Sequence, residues 1–365
     1  MREITPTLTP ELQRHTDGDV VKGAPYPVKR YEDIVKHIAR LAYLNKDCLL
    51  FYRGQGVQFR NKGGGLTFYP AIYRGDPLDR PTVKSRFRLL DLASQRLRDL
   101  FLKGAIDGHQ EVSRKRLVQW SILQHYEVLA TPLLDLTHSI RVACSFAQRA
   151  TTGRKSYVSV FGLPYVTNRI SANSEHDLVI IRLLSICPPA AFRPYFQEGY
   201  LAGTSDVSDE YEDKSELDFN RRLIAQFEIP TTSSFWGLGL ARVADSELFP
   251  PEDSIRDLCA SIDVGPGPAP EPESLGAFVA AWTGLEQLLV SQAQRYEERV
   301  LTVGQALRSL RKHERIPQAV LGELEQLRQL RNRAVHGHDT PSDLMLQQSA
   351  ERVEQLRRTL RDYEQ

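Results

Sequence analysis

The chain has 365 residues, 41% hydrophobic and 25% charged, with 47 Lys+Arg against 46 Asp+Glu for a net charge of +1. This suits one large or two smaller folded domains; it excludes a disordered chain and a global basic field, so any nucleic-acid contact must be local. Cys48, Cys144, Cys187 and Cys259 lack CxxC spacing, which argues against zinc and a disulfide framework and fits a reducing cytoplasm.

The first residues, Met1-Arg2-Glu3-Ile4-Thr5-Pro6, lack the apolar core of a signal peptide, and no stretch reaches the roughly 20 apolar residues of a membrane span. Neither secretion nor a membrane partner is expected. In chain order, apolar periodicity predicts a helix over 31–43, a buried strand over 47–52, a long amphipathic helix over 82–103 and a helix over 113–126. A helix over 141–148 and strands over 157–161, 178–181 and 222–229 follow, which together make an α+β domain. Between them, 55–67 reads as a flexible loop around Gly63-Gly64-Gly65, with neither GxGxxG nor GxxxxGK[ST] to hold phosphate. The stretch 205–216 (Asp206, Asp209, Glu210, Glu212, Asp213, Glu216) reads as a solvated acidic loop. Coordination there would need converging ligands and a firm turn, so no metal site is assigned.

Alternating prolines in Gly265-Pro266-Gly267-Pro268-Ala269-Pro270-Glu271-Pro272 deny helix and sheet and predict a stiff spacer. Helices are expected over 274–299, 303–313, 318–336 and 343–363, the third buried along Leu321, Leu324, Leu327 and Leu330. The division is 1–263, an α+β domain; 264–272, a linker; and 273–365, an all-α four-helix domain.

Three segments of the first domain carry chemistry. Phe51-Tyr52-Arg53-Gly54-Gln55 sets Arg53 at a strand end, beside a glycine that allows something to approach closely. Gln124-His125-Tyr126 precedes Leu133-Leu134-Asp135-Leu136-Thr137-His138-Ser139, and Arg193-Pro194-Tyr195-Phe196-Gln197-Glu198-Gly199 comes third. In that order they resemble the FRG domain, over roughly 31–263. The family usually has Gly after Gln-His-Tyr and Arg after the following Thr, where this chain has Glu127 and Pro132. The resemblance implies a ligand pocket built from Arg53, Gly54, Gln124, His125, Tyr126, Asp135, Thr137, Ser139, Arg193 and Gln197. A plainer reading pairs Arg53 with Asp135 and spends Gln124 and His125 on buried backbone groups.

The same domain is loosely similar to the ADP-ribosyltransferase fold, which implies a mixed sheet with helices and NAD or another nucleotide as ligand. Arg53, Thr137/Ser139 and Gln197 match in order. Gly199 stands where the catalytic glutamate belongs, leaving Glu198 or Glu228 as substitutes. Cleaving a glycosidic bond through an oxocarbenium-like state wants a carboxylate beside the ribose, so binding is favoured over turnover.

In the last domain, Arg331-Asn332-Arg333-Ala334-Val335-His336 closes a helix with a guanidinium, an amide and an imidazole. An imidazole with a pKa near ~6.5 can deprotonate a ribose 2′-hydroxyl while a guanidinium clamps the phosphate. The same residues also suit a plain helix end, cations against the negative pole and Gly337 as cap. Segment and helices resemble HEPN domains, many of them prokaryotic ribonucleases. Arg331 and His336 lie about 140° apart on one helix, so a homodimer in which each cleft draws on both chains would bring them to one phosphate. Basic and acidic residues balance in 273–365, which keeps a dimerising module open as the rival role. The expectation is a cytoplasmic toxin or anti-phage effector: an FRG ligand domain joined to a ribonuclease acting on RNA without metal or cofactor. A non-catalytic sensor and an ADP-ribosyltransferase working through Arg53 and Thr137/Ser139 are the alternatives.

Overall fold

The structure is a computed structural model that describes the chain except at 76–79, 151–152, 206–210, 212, 263–271, 298–299, 314, 337–342 and 363–365. At 272, 318–319, 333, 335–336, 343–345, 348 and 362 only the backbone is described. The chain divides into two units, Met1–Ser94 with Gly104–Ile262, and Gln95–Lys103 with Asp263–Gln365.

The first unit is built on an eight-stranded mixed sheet. In chain order its strands are β1 (Tyr26–Pro27), β2 (Leu49–Gln55), β3 (Leu134–Thr137), β4 (Lys155–Leu163), β5 (Ile170–Asn173), β6 (Leu178–Arg182), β7 (Gly199–Gly203) and β8 (Leu223–Pro230). They lie in the order β1-β8-β4-β2-β3-β7-β6-β5, with β1 parallel to β8 and the other pairs antiparallel. Alternation sorts side chains to two faces. Leu50 and Tyr52 join Val158, Val160 and Phe227 in one core; Phe51 joins Phe161, Leu134 and Leu136 in another.

The helices of this unit are α1 (Pro10–Thr16), α2 (Tyr31–Leu44), α3 (Arg80–Lys103, of which Gln95–Lys103 groups with the other unit), α4 (His109–Arg114), α5 (Arg116–His125), α6 (Ile140–Arg149), α7 (Leu183–Ile186), α8 (Arg193–Phe196), α9 (Asp245–Leu248) and α10 (Ser254–Ala260). Ile34, Ile38 and Leu41 of α2 and Ala143, Cys144 and Ala147 of α6 bury in the Tyr52 core. The helix expected over 113–126 is two. Lys115 is extended (φ −115°, ψ 105°), and the Gln119 side chain donates to the Val112 carbonyl at 2.6 Å, satisfying an acceptor that the break frees.

In the second unit α11 (Pro272–Gln294), α12 (Val303–Lys312), α13 (Gln318–His336) and α14 (Asp343–Asp362) enclose Trp282, Leu285, Leu310 and Leu356. Leu321, Leu324, Leu327 and Leu330 of α13 are all buried in this core. The helix expected to 299 ends at Gln294, whose side chain donates to the Val300 carbonyl at 2.9 Å. The spacer lies outside the described residues, apart from Pro272 at the start of α11. The acidic stretch does so at 206–210 and 212; its end, Lys214–Leu217, is a 3-10 turn capped by Asp213.

Candidate functional site

β2 and β3 pair at a single position, Tyr52 opposite Thr137, and then separate. Past that point Asp135 loses its ladder partner on β2, and the Arg53 guanidinium replaces it, donating from Nη1 to the Asp135 carbonyl oxygen at 2.6 Å. A cavity of about 210 Å³ opens in this split. Gly54 follows directly because the backbone of α6 crosses there: a Cβ would stand 1.9 Å from the Ala143 oxygen and 2.6 Å from the Ala147 nitrogen.

The end of α5 forms a second wall. The Gln124 amide donates to Asp135 Oδ2 at 2.5 Å and accepts from the Thr131 hydroxyl at 2.7 Å, so its orientation is set. Burial pushes the Asp135 carboxyl above its usual range, against the pull of the Arg53 charge and the Gln124 hydrogen bond. Burial likewise pushes His125 down to about 3, with help from the Arg193 charge, so its imidazole is neutral. His125 Nε2 is buried without a hydrogen-bond partner among the described residues. Across from it Gly199 is opposite Thr137 on β7; a Cβ there would lie 3.4 Å from the imidazole.

The third wall is α8. Arg193 is 9% exposed, lies 4.6 Å over the Phe249 ring and donates from Nη2 to Glu127 at 2.5 Å, while its Nε is buried and unpartnered among the described residues. Glu127, at the position where the FRG resemblance leads one to expect glycine, has φ 59°. That left-handed conformation explains the glycine preference, and here the chain uses it to bring a carboxylate to Arg193. Gln197 donates to the Leu248 carbonyl at 2.8 Å, and its own carbonyl accepts from the Thr137 hydroxyl at 2.8 Å.

Eight of the ten first-domain residues singled out from the sequence therefore meet at one cavity: Arg53, Gly54, Gln124 and His125 with Asp135, Thr137, Arg193 and Gln197. Tyr126 and Ser139 are not part of its lining. The Tyr126 hydroxyl bonds buried Asp253 at 2.8 Å and 3.0 Å, and Asp253 also accepts from the Arg193 amide at 2.8 Å and caps α10, tying three elements behind the wall. Ser139 is the N-cap of α6. Sequence reasoning passed over Glu127, Phe146 and Tyr200 as lining residues. An unexpected residue at a family glycine was the available signal for Glu127.

Of the two substitute glutamates, Glu198 is exposed and outside the cavity lining, and Glu228 pairs with Lys155 at 2.8 Å on β8. The carboxylates in the cavity are Asp135 and Glu127.

In the second unit, Arg331 is half-buried, its Nη1 donating to Asn332 at 3.3 Å and its Nε buried and unpartnered among the described residues. Asn332 is exposed, and His336 is the last residue of α13. The His336 side chain and the expected Gly337 cap lie outside the described residues.

The family model of the FRG domain matches residues 69–156, which take in the Gln124-His125-Tyr126 and Asp135 to Ser139 segments and leave Arg53, Arg193 and Gln197 outside the match. No match to the chain was found among curated proteins or among solved structures. Among the described residues no helix is long and apolar enough to cross a membrane.

Proposed function

We propose that the chain is a prokaryotic cytoplasmic effector of the toxin or anti-phage type, in which an FRG-like first domain binds an NAD-like nucleotide and a HEPN-like second domain cleaves RNA. The observation that carries the first half is the meeting of eight sequence-selected residues at the split of the sheet. Buried nitrogens without partners among the described residues, the Arg193 Nε donor and His125 Nε2, suit a polar ligand, the arginine one that brings an acceptor oxygen. Arg53 lies within β2, which continues to Gln55, and not at its end as expected; an arginine where β2 and β3 part in a mixed sheet still supports the likeness to the ADP-ribosyltransferase fold. Turnover has less support, because neither Glu198 nor Glu228 lines the cavity.

For the second half, support comes from the four helices in the expected order, the placement of Arg331, Asn332 and His336 at the end of the third, and an Arg331 Nε with no protein partner among the described residues. His336 takes the 2′-hydroxyl proton, the freed oxygen attacks phosphorus, and the bond to the 5′-oxygen breaks to leave a 2′,3′-cyclic phosphate and a 5′-hydroxyl, the leaving oxygen taking a proton from water while the imidazolium returns its own to solvent. Arg331 stabilises the charged phosphorane and Asn332 orients the phosphate. A homodimer supplies both groups to one cleft.

Calorimetric titration with NAD tests the first half: binding weakened about tenfold or more by Arg53→Ala is expected. Label passing from NAD to protein or nucleic acid, and stopped by Arg53→Ala, would favour the transferase instead. For the second half, RNA incubated in EDTA should acquire cyclic phosphate ends, at a rate about 100-fold lower or more after His336→Ala. Cleavage that survives Arg331→Ala with His336→Ala removes the nuclease, and a folded chain inert in every test but NAD binding is a sensor.

A further inference from the structure

We propose that Glu127 sets the charge preference of the cavity: by pairing with Arg193 it keeps anions off that guanidinium, so that the cavity seats an uncharged ligand group carrying both hydrogen-bond donors and acceptors, such as a carboxamide or the edge of a base. This deepens the nucleotide reading and rests on the same cavity being a ligand seat. At about 210 Å³ the cavity is smaller than the roughly 300–1,000 Å³ that drug-sized ligands fill, so one ring-sized part of a dinucleotide enters it.

Glu127 stands where a helix end asks for glycine. Its amide donates to the Gln124 carbonyl at 3.0 Å and the Val128 amide to the Leu123 carbonyl at 2.9 Å, the two bonds of a Schellman ending to α5, with Glu127 at the left-handed position, φ 59°. Glycine takes that conformation freely, whereas a residue with a Cβ does so at a cost. Such strain gathers at functional sites, and here it falls on a residue that lines the cavity.

The side chain holds Arg193, accepting from its Nη2 at 2.5 Å. That guanidinium has little freedom to turn to another anion: Arg193 is 9% exposed, the Phe249 ring lies 4.6 Å from it, and its backbone amide is bonded to Asp253 at 2.8 Å. An entering anion therefore reaches Arg193 only in competition with a carboxylate already in place. Asp135 adds to the discrimination. Burial pushes its carboxyl up most; Arg53, the Gln124 hydrogen bond and Arg193 pull it down, and Glu127 adds to the rise. A ligand carboxylate or phosphate would bring a third negative charge to a site where two already oppose each other.

An uncharged amide meets no such opposition and suits the polar atoms that remain. Arg193 Nε is a buried donor without a partner among the described residues, and it asks for an acceptor oxygen. His125 Nε2, buried and unpartnered in the same sense, belongs to a neutral imidazole that donates or accepts according to its tautomer. A carboxamide carries a carbonyl oxygen and two N–H donors in one plane, so it has a group for each.

The test uses nicotinamide and nicotinate, rings of one size that differ in carrying a carboxamide or a carboxylate, titrated against the full chain near neutral pH by ligand-observed NMR. The wild type should bind nicotinamide about tenfold or more tightly than nicotinate. Glu127→Gln keeps the shape of the side chain and removes its charge; Glu127→Gly removes the side chain and the strain together. In each, nicotinate should bind about tenfold more tightly than to the wild type, while nicotinamide affinity changes less than about twofold. Unchanged circular dichroism certifies folding. Glu175→Gln, at an exposed residue of the same unit outside the cavity lining, makes the same change in net charge and should alter neither affinity. The proposal is overturned if neither probe binds the wild type, if both Glu127 variants leave the ratio of the two affinities unchanged, or if Glu175→Gln moves that ratio as far. NAD binding by a chain whose ratio ignores Glu127 keeps the nucleotide reading and removes the charge selection. A ratio that responds to Glu127 in a chain that does not bind NAD does the opposite.

Discussion

Gly54 shows how a single residue type is dictated by something far away in the chain. What approaches it is the backbone of α6, which cannot swing aside as a flexible side chain could. Gly54→Ala is therefore expected to destabilise the protein by about 3 kcal/mol, the upper end of overpacking costs, measured as a shift in denaturant midpoint. The need for a small residue was readable in the sequence; its cause was not, because α6 is remote in the chain. His125 gives a second test at this scale. The unfolded chain takes up a proton near pH 6.5 that the native imidazole, held down to about 3, refuses. Stability should therefore fall as pH drops from about 6.5 toward about 3, by up to about 1.4 kcal/mol per pH unit, and level off below. Asp135, with its raised pKa, contributes a slope of the opposite sign that fades as pH rises. Comparing the wild type with His125→Leu isolates the histidine, since the Asp135 contribution is present in both. A wild type and variant with parallel stability curves between pH 5 and 7 would refute the neutral imidazole.

Elements rich in Val, Ile, Leu and Phe, such as β2, β4 and β8, were legible from their sequence, as were α2, α3 and the Leu321 to Leu330 stripe of α13. The two strands that complete the site were not. β3 has four residues and β7 begins and ends with glycine, so neither carries enough periodicity or propensity to announce a strand. Both exist because neighbours pair with them: Asp135 opposes Leu201 and Thr137 opposes Gly199. Ser139 belongs to this scale as well. Its hydroxyl accepts from the Val142 amide at 3.5 Å, and Ser139→Ala should cost about 0.5–2 kcal/mol in stability. NAD affinity should not change, because the side chain is a cap and outside the cavity lining; a variant that melts normally yet no longer binds would show the reverse.

At the scale of the molecule, the proposed cleavage requires more than one chain, since Arg331 and His336 point about 140° apart on an ideal helix. Arg331→Ala and His336→Ala, each inactive alone, should regain RNA cleavage when mixed and allowed to exchange subunits, with the mixed species sedimenting at twice the 41.4 kDa of one chain. Mixtures that stay inactive would remove the composite cleft. The sequence by itself determined which residue types are proposed to carry the chemistry, the α+β character of the first part and the helical character of the last, because these follow from side-chain reactivity and local periodicity. Only the tertiary structure decided where β2 and β3 part, which of the chosen residues reach the resulting cavity, and that Tyr126 and Ser139 brace it from outside. Those outcomes depend on contacts between segments scores of residues apart, which no local pattern encodes.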